Sequence, residues 1–414
     1  MTEGVAARAA AVAMLDAVLG EGRMLAEIAE PDLPPAERAR ARRLAEETLR
    51  RIEPADRVLA PHLRKAPPLT VLNALRLAVV EIGLGAAPHG AVNAAVTLVR
   101  RGGRSKPLAG LANAILRKVA PEALSAQPVQ KLPRWLRQPL VHAWGREAVA
   151  AIETCHAGLP PLDLTLRDPG AAAAIPGARR LPSGSLRLGP GAQVTALPGY
   201  DSGEWWVQDA AAALPARLLD AREGERVLDL CAAPGGKTMQ LAAAGAEVTA
   251  LDISGPRMQR IAANLSRTGL SARLVTADAL QWQPDAPFDA ILLDAPCSAS
   301  GTIRRHPDLP FVKDGSEIAL LVDLQARLID RALGWLRPGG RLVFATCSLL
   351  PEEGEAQLDA ALARHPGLRA EPASLEGVAP EWWTGAGGLR LRPDLWPEFG
   401  GMDGFFCARL RLPG

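Results

Sequence analysis

Long apolar runs, paired cysteines and metal-ligand spacings are all missing from this sequence. No hydrophobic run reaches the length needed to cross a bilayer, which excludes a transmembrane helix. Five cysteines, scattered and odd in number, argue against a disulfide framework. No Cys/His spacing suits a zinc site. Aromatic residues are scarce, with one Tyr and six Phe among 414 residues. The N-terminus lacks the unbroken apolar stretch of a signal peptide. Glu3 and Asp16 interrupt it, and Val12, Leu15, Val18 and Leu19 recur at helical spacing. A cytoplasmic location with no membrane involvement is the resulting expectation. Internal repeats and low-complexity tracts are absent. What is present, 48% hydrophobic and 22% charged residues, is ordinary for a globular chain long enough for two or three domains.

One stretch is defined by the glycines it lacks. Val227–Thr238 reads Val-Leu-Asp-Leu-Cys-Ala-Ala-Pro-Gly-Gly-Lys-Thr, an apolar strand, a small-residue turn and the start of a helix. That order is the cradle in which an open α/β sheet holds a nucleotide-like ligand. A phosphate loop needs Gly-x-x-x-x-Gly-Lys-Ser/Thr, and its first glycine would fall at Cys231. A dinucleotide fingerprint needs spaced glycines, and only the adjacent Gly235-Gly236 is offered. A third candidate is S-adenosyl-L-methionine, which has no phosphate and carries a sulfonium cation suited to nearby carboxylates. An ordinary strand-to-helix turn is the bland alternative.

Charge is uneven along the chain. Residues 1–150 hold 22 Lys and Arg against 14 Asp and Glu, a net +8, and the remainder holds 25 against 31, a net −6. A basic front suggests a polyanionic partner. That front reads as all-helical, with helices over 1–19, 36–51, 69–82, 91–100 and 108–119. Residues 69–82 are apolar enough to be the buried central helix. Arg101 to Pro107 reads as a flexible basic loop. A linker over 121–133 and a helix over 135–155 follow. Residues 160–225 read as a small α/β insert, in which Trp205-Trp206 either stack on nucleobases or, since adjacent strand residues face opposite ways, enter the core.

From Arg226 strands and helices alternate, which predicts a doubly wound parallel sheet. Strands are expected at 226–230, 247–251, 273–276, 288–293 and 341–345, with a closing strand over 405–412. Each of the first five ends in a polar residue at the edge where such sheets bind ligands: Asp229, Asp252, Asp278, Asp294 and the run Thr346-Cys347-Ser348. One such Asp is an ordinary helix cap. Four in register favour an adenosine-bearing cation over a polyphosphate. Cys297 and Cys347 follow adjacent strands and should face one crevice. A methyl donor beside a thiol nucleophile points to methylation of a carbon that is not nucleophilic by itself, such as carbon 5 of cytosine. Thiolate addition at carbon 6 makes carbon 5 enamine-like. Asp294 is the candidate acid near nitrogen 3, and the base must leave its stack.

Two resemblances follow from these residues. The segments Leu75–Ile82, Val92–Val96 and Leu111–Lys118 resemble the NusB RNA-binding helical fold, departing at Ala94, where an acidic surface residue is expected. Residues 145–414 resemble the RNA 5-methylcytosine methyltransferase family (Sun/Nop2/Fmu). The motifs are Asp229 with Ala232–Thr238, Asp252, Asp278, Asp294–Ser298, Thr346-Cys347-Ser348 with Pro351-Glu352-Glu353, and Asp403–Phe406. The resemblance implies a Rossmann-like methyltransferase with Cys347 as nucleophile and Cys297 as the second cysteine assisting product release. It implies S-adenosyl-L-methionine contacts from Cys231, Ala232, Ala233, Pro234, Gly235, Gly236, Lys237, Asp252, Asp278 and Asp294, and no metal. Cys297 remains a rival nucleophile, because the related DNA enzymes use that cysteine. Ala299 stands where the family has Gly, which puts the loop geometry in question. Arg304, Arg305 and His306 are read as phosphate contacts or a solvated basic loop. The expected organisation is a NusB-like RNA-binding domain over 1–125, a small α/β linking subdomain over 135–225 and a catalytic domain over 226–414. The implied partner is RNA, 16S ribosomal RNA above all, with no obligate protein partner evident. A transfer-RNA cytosine methyltransferase and a non-catalytic RNA-binding assembly factor are the alternatives.

Overall fold

In the first of two units, an apolar central helix is sheathed by shorter amphipathic ones. The computed structural model describes residues 4–171 and 175–414, so Met1 to Glu3 of the expected first helix lie outside it. The first unit comprises the chain up to Gly158 together with Ile303–Asp314, and the second comprises Leu159–Thr302 and Gly315–Gly414. Helices of the first unit run Val5–Glu21, Pro35–Leu49, Ile52–Leu59, Leu69–Gly83, Pro88–Arg101, Ala109–Leu116 and Arg134–Ala157. Pro35 and Pro88 open their helices, where proline's missing N–H costs nothing. Leu69–Gly83 is buried on nearly every side from Asn73 to Ile82. Its charged residues are compensated: Arg76 is 2.7 Å from Asp56, and Glu81 is 2.7 Å from Arg8.

Three expectations change in this unit. Ala94 is 4% exposed, so it sits on the inward face of its helix, where a small apolar side chain fits and an acidic one would not. The segment after the cysteine loop is no free basic loop. Asp308 accepts a 2.6 Å hydrogen bond from the Leu25 N–H, and Phe311 and Val312 pack on the helical core. The helix Arg134–Ala157, grouped by sequence with the linking region, belongs to this unit; its end is held by Arg50 and Arg51, which donate to the His156 and Ala157 carbonyls.

The second unit holds two sheets. The smaller comprises β1 (Leu162–Leu166), β2 (Arg179–Arg180), β3 (Leu186–Leu188) and β4 (Trp205–Val207) in the order β2-β3-β1-β4, all antiparallel. Trp205 and Trp206 point to opposite sides of β4 and are both buried, in separate clusters with Leu164 and Met239 respectively. Neither is open to a nucleobase.

The larger sheet comprises β5 (Arg226–Leu230), β6 (Glu247–Asp252), β7 (Arg273–Thr276), β8 (Phe288–Asp294), β9 (Leu336–Thr346), β10 (Arg369–Ala370), β11 (Leu389–Leu391) and β12 (Phe405–Arg411). Its order is β10-β12-β9-β8-β5-β6-β7, with β11 also paired to β12. β5 to β9 are parallel. β10, β11 and β12 are antiparallel additions, so the sheet is mixed rather than wholly parallel. Alternation along the strands feeds two cores. Ile291, Leu293, Leu342 and Phe344 face one, and Ala290, Leu292, Val343 and Ala345 face the other. Strand order reverses between β5 and β8, which opens a crevice at their C-terminal ends.

Candidate active site

The turn after β5 is shaped by backbone geometry. Cys231 and Gly235 both adopt left-handed φ values, 63° and 99°, and the Ala233–Pro234 bond is cis. Gly235 caps the helix Gly236–Ala243. The loop is tied to the neighbouring strand, since the Ala232 N–H donates to the Leu251 carbonyl at 3.1 Å and the Ala233 N–H to Asp252 at 3.1 Å. Arg257 donates to the Ala233 carbonyl, and Asn264 reaches the Pro234 carbonyl at 3.4 Å. Cys231 is inert: burial first, then Asp252, Asp294 and Asp229, push its thiol well up.

The four aspartates occupy different environments. Asp229 is fully buried and accepts a 2.5 Å bond from the Thr238 hydroxyl, while its Oδ1 has no hydrogen-bond partner. Burial raises its pKa to about 7. Asp252 accepts from the Ala233 and Ser254 N–H groups. Asp278 caps its own turn, accepting from the Leu280 N–H and the Gln281 side chain. Asp294 ends β8 2.7 Å from Lys237 Nζ. Burial pulls the Lys237 ammonium down, but Asp294 and Asp229 outweigh it and the net shift is upward, so the charge is held. Its Nζ lies 5.3 Å from the Phe405 ring centre.

Beyond β8 and β9 the two cysteines meet. Cys297 Sγ and Cys347 Sγ are 3.4 Å apart, both half-buried. Asp294 pairs with Ala345 across the sheet, the Ala295 N–H donates to the Ala345 carbonyl at 2.8 Å, and the Gly301 N–H donates to the Cys347 carbonyl at 3.0 Å. The hydrogen bond to Cys347, followed by burial, raises the Cys297 pKa well above its usual value. Ala299 has φ 57°, in the left-handed region that favours glycine, so the loop holds an alanine in a conformation that costs it.

Sequence reasoning placed both cysteines and the carboxylates at one sheet edge, and the structure brings Cys297, Cys347, Asp294 and Lys237 together there. Asp252 and Asp278 lie on β6 and after β7, on the other side of β5. Arg304, read with its neighbours as a phosphate contact or part of a solvated basic loop, is 2% exposed; Arg305 is half-buried and His306 exposed, all three on the segment that belongs to the first unit. Sequence reasoning missed the part played by Glu353. Its buried carboxylate accepts from Ser298 and Ser348, the residues that follow the two cysteines. The repeated Cys-Ser pair and the acid five residues after the second were the available signal.

Comparison with known proteins adds to this geometry. Residues 216–411 match the family described as 16S rRNA methyltransferase RsmB/F, and residues 5–121 match the NusB family. The chain is 35% identical to ribosomal RNA small subunit methyltransferase B of Xylella fastidiosa, over 99% of each chain. Its fold is like the crystal structure of PH0851, with a TM-score of 0.72, 23% identity and coverage of 97% of this chain and 98% of that one. NSun6 from Pyrococcus horikoshii, solved with SFG, aligns with a TM-score of 0.59 and 21% identity over 67% of this chain and 98% of its own.

Proposed function

The chain belongs to the RsmB/F family of 16S rRNA methyltransferases, and from that premise we propose that it methylates carbon 5 of a cytosine in small-subunit ribosomal RNA. Cys347 is the nucleophile. The observation that carries this reading is the 3.4 Å thiol pair at the ends of adjacent strands. Cys347 is preferred over the rival Cys297 because it stands at the nucleophile's position in the family that the chain resembles; the thiolate is the attacking form.

The methyl donor is S-adenosyl-L-methionine, held by the Cys231–Lys237 turn with Asp252, Asp278 and Asp294. Three observations fit that group. Asp229 keeps an unsatisfied buried oxygen beneath the turn, carboxylates rather than stacked amides line the strand ends, and Ile253, 72% exposed, offers an apolar surface beside Asp252. Bound there, the group supplies an electrophilic methyl on a sulfonium.

Cys347 Sγ bonds to carbon 6 of the flipped cytosine, and the electron pair displaced from the ring double bond enriches carbon 5. The Asp294–Lys237 pair meets the base near nitrogen 3, where the Lys237 ammonium donates and the Asp294 carboxylate orients it. Once carbon 5 is substituted, its proton must leave for the ring double bond to re-form and the Cys347–carbon bond to break. Cys297 takes that proton as the thiolate, having first released its own proton to solvent. In the free pair the hydrogen bond to Cys347 is the largest cause that raises the Cys297 pKa. Bonding Cys347 to carbon removes that largest cause, so Cys297 becomes easier to ionise at the step that needs a base. In this reading the first unit, with the NusB-like residues 1–125, grips RNA, residues 159–225 link, the sheet from residue 226 on catalyses, and the protein works in the cytoplasm.

The test uses purified protein, labelled methyl donor and small-subunit RNA. Cys347→Ala should abolish methyl transfer while donor binding survives, and Cys297→Ala should trap a covalent protein–RNA adduct. Full activity in the Cys347 variant overturns the assignment. Bisulfite sequencing of RNA from cells with and without the protein identifies the cytosine.

A further inference from the structure

Two loops that carry the cysteines converge on a single acid. We propose that Glu353 is a positioning residue for the thiol pair: its carboxylate ties the neighbours of both cysteines into one cluster and so fixes how the two sulfurs face each other. Glu353 is fully buried. One carboxylate oxygen accepts from the Ser298 N–H at 2.9 Å and from Gln325 Nε2 at 3.1 Å. The other accepts from the Ser298 hydroxyl at 2.5 Å and the Ser348 hydroxyl at 2.6 Å. Its own carbonyl accepts from the Thr346 hydroxyl at 2.9 Å. Glu353 thereby holds Thr346 and Ser348 on either side of Cys347, and Ser298 immediately after Cys297. Ser300 completes the cluster, 3.0 Å from the Ser298 hydroxyl and 3.1 Å from that of Ser348.

A buried charge that only braced a loop would be a costly brace, since a neutral side chain can accept the same bonds. Here the charge has a further use. After the Cys347 hydrogen bond and burial, the Glu353 carboxylate adds to what keeps Cys297 protonated. It therefore helps hold the proton on Cys297. The inference rests on the proposed thiol chemistry but concerns a residue that touches neither RNA nor donor.

The test compares Glu353→Gln and Glu353→Asp with the unaltered protein. The first keeps the length and removes the charge; the second keeps the charge and shortens the reach. For Glu353→Gln, kcat should fall at least tenfold with the RNA KM within about twofold. The pH profile for alkylation of Cys297 by iodoacetamide, read by mass spectrometry, should move to lower pH. Glu353→Asp should keep the native alkylation profile more closely than its kcat. A folded Glu353→Gln with unchanged kcat and unchanged thiol profile overturns the proposal. If circular dichroism shows that variant unfolded, Ser298→Ala and Ser348→Ala each remove one arm, and unchanged Cys297 alkylation in both overturns it equally. Alkylation needs neither RNA nor donor. A Glu353-dependent thiol profile in a protein that methylates no RNA would fail the functional reading alone.

Discussion

Asp229 is a carboxylic acid placed where its ionised form is disfavoured. It sits inside the sheet with one oxygen on Thr238 and the other unsatisfied, and its pKa rises from 3.8 to about 7. The folded state therefore holds this proton more tightly than the unfolded chain does. Its contribution to stability is greatest below pH 3.8, declines as pH rises through the window to about 7, and is then flat. Asp229→Asn removes that decline. Urea melts at pH 5 and pH 8 should show the difference between the two conditions shrinking by about 2–3 kcal/mol in the variant, at 1.36 kcal/mol per pH unit. An unchanged difference would mean that another group carries the titration. The residue identity was legible in the sequence as a strand-end acid. Its isolation was not, because burial from both faces depends on helices and strands far along the chain.

Elements meet most tightly where the cysteine loop crosses the approach to β12. The Gly404 N–H donates to the Gly301 carbonyl at 2.8 Å, and a Cβ on Gly301 would lie 2.0 Å from the Gly404 carbonyl oxygen. Backbone cannot yield as a flexible side chain can. Gly301→Ala should cost about 2–3 kcal/mol and lower methyl transfer at unchanged donor affinity, as thermal melts and initial rates would report. A fully active, equally stable variant would show that the crossing can open freely. This crossing also marks where sequence reading stops. The parallel strands were legible because alternating apolar runs record burial locally. β9 was read too short: it begins at Leu336 and runs through Pro338-Gly339-Gly340, residues that locally signal a turn, beside a register shift in β8. The antiparallel placement of β12 between β9 and β10 was hidden because direction leaves no trace in periodicity. Cys297 and Cys347 were found because each ends a readable strand, whereas Glu353 acts through serines that only the folded loops bring to it.

Over the whole molecule, the first unit is built from two separate pieces of chain. Removing residues 1–120 would strip the packing from Phe311 and Val312. Such a truncation tests stability more than RNA binding. Charge removal on the exposed loop is the cleaner probe. Arg101, Arg104 and Lys106 are all exposed, and replacing the three with Ala should leave the fold intact. If each touches a phosphate, the slope of log affinity for RNA against log salt should flatten by about 2, at about 0.7 per contact for single strands. An unchanged slope would move the RNA contact to another face.

The discontinuous unit also sets an order on synthesis. A ribosome releases the helices up to Gly158 first, yet Asp308, the partner of the Leu25 N–H, and the Phe311 and Val312 that pack on their core arrive only after much of the catalytic sheet. At about 5–20 residues per second the interval is on the order of ten seconds. For that time the nascent front unit carries an uncovered apolar patch. It becomes complete only once Cys297 has been made, with residues 315–414 of the second unit still to follow.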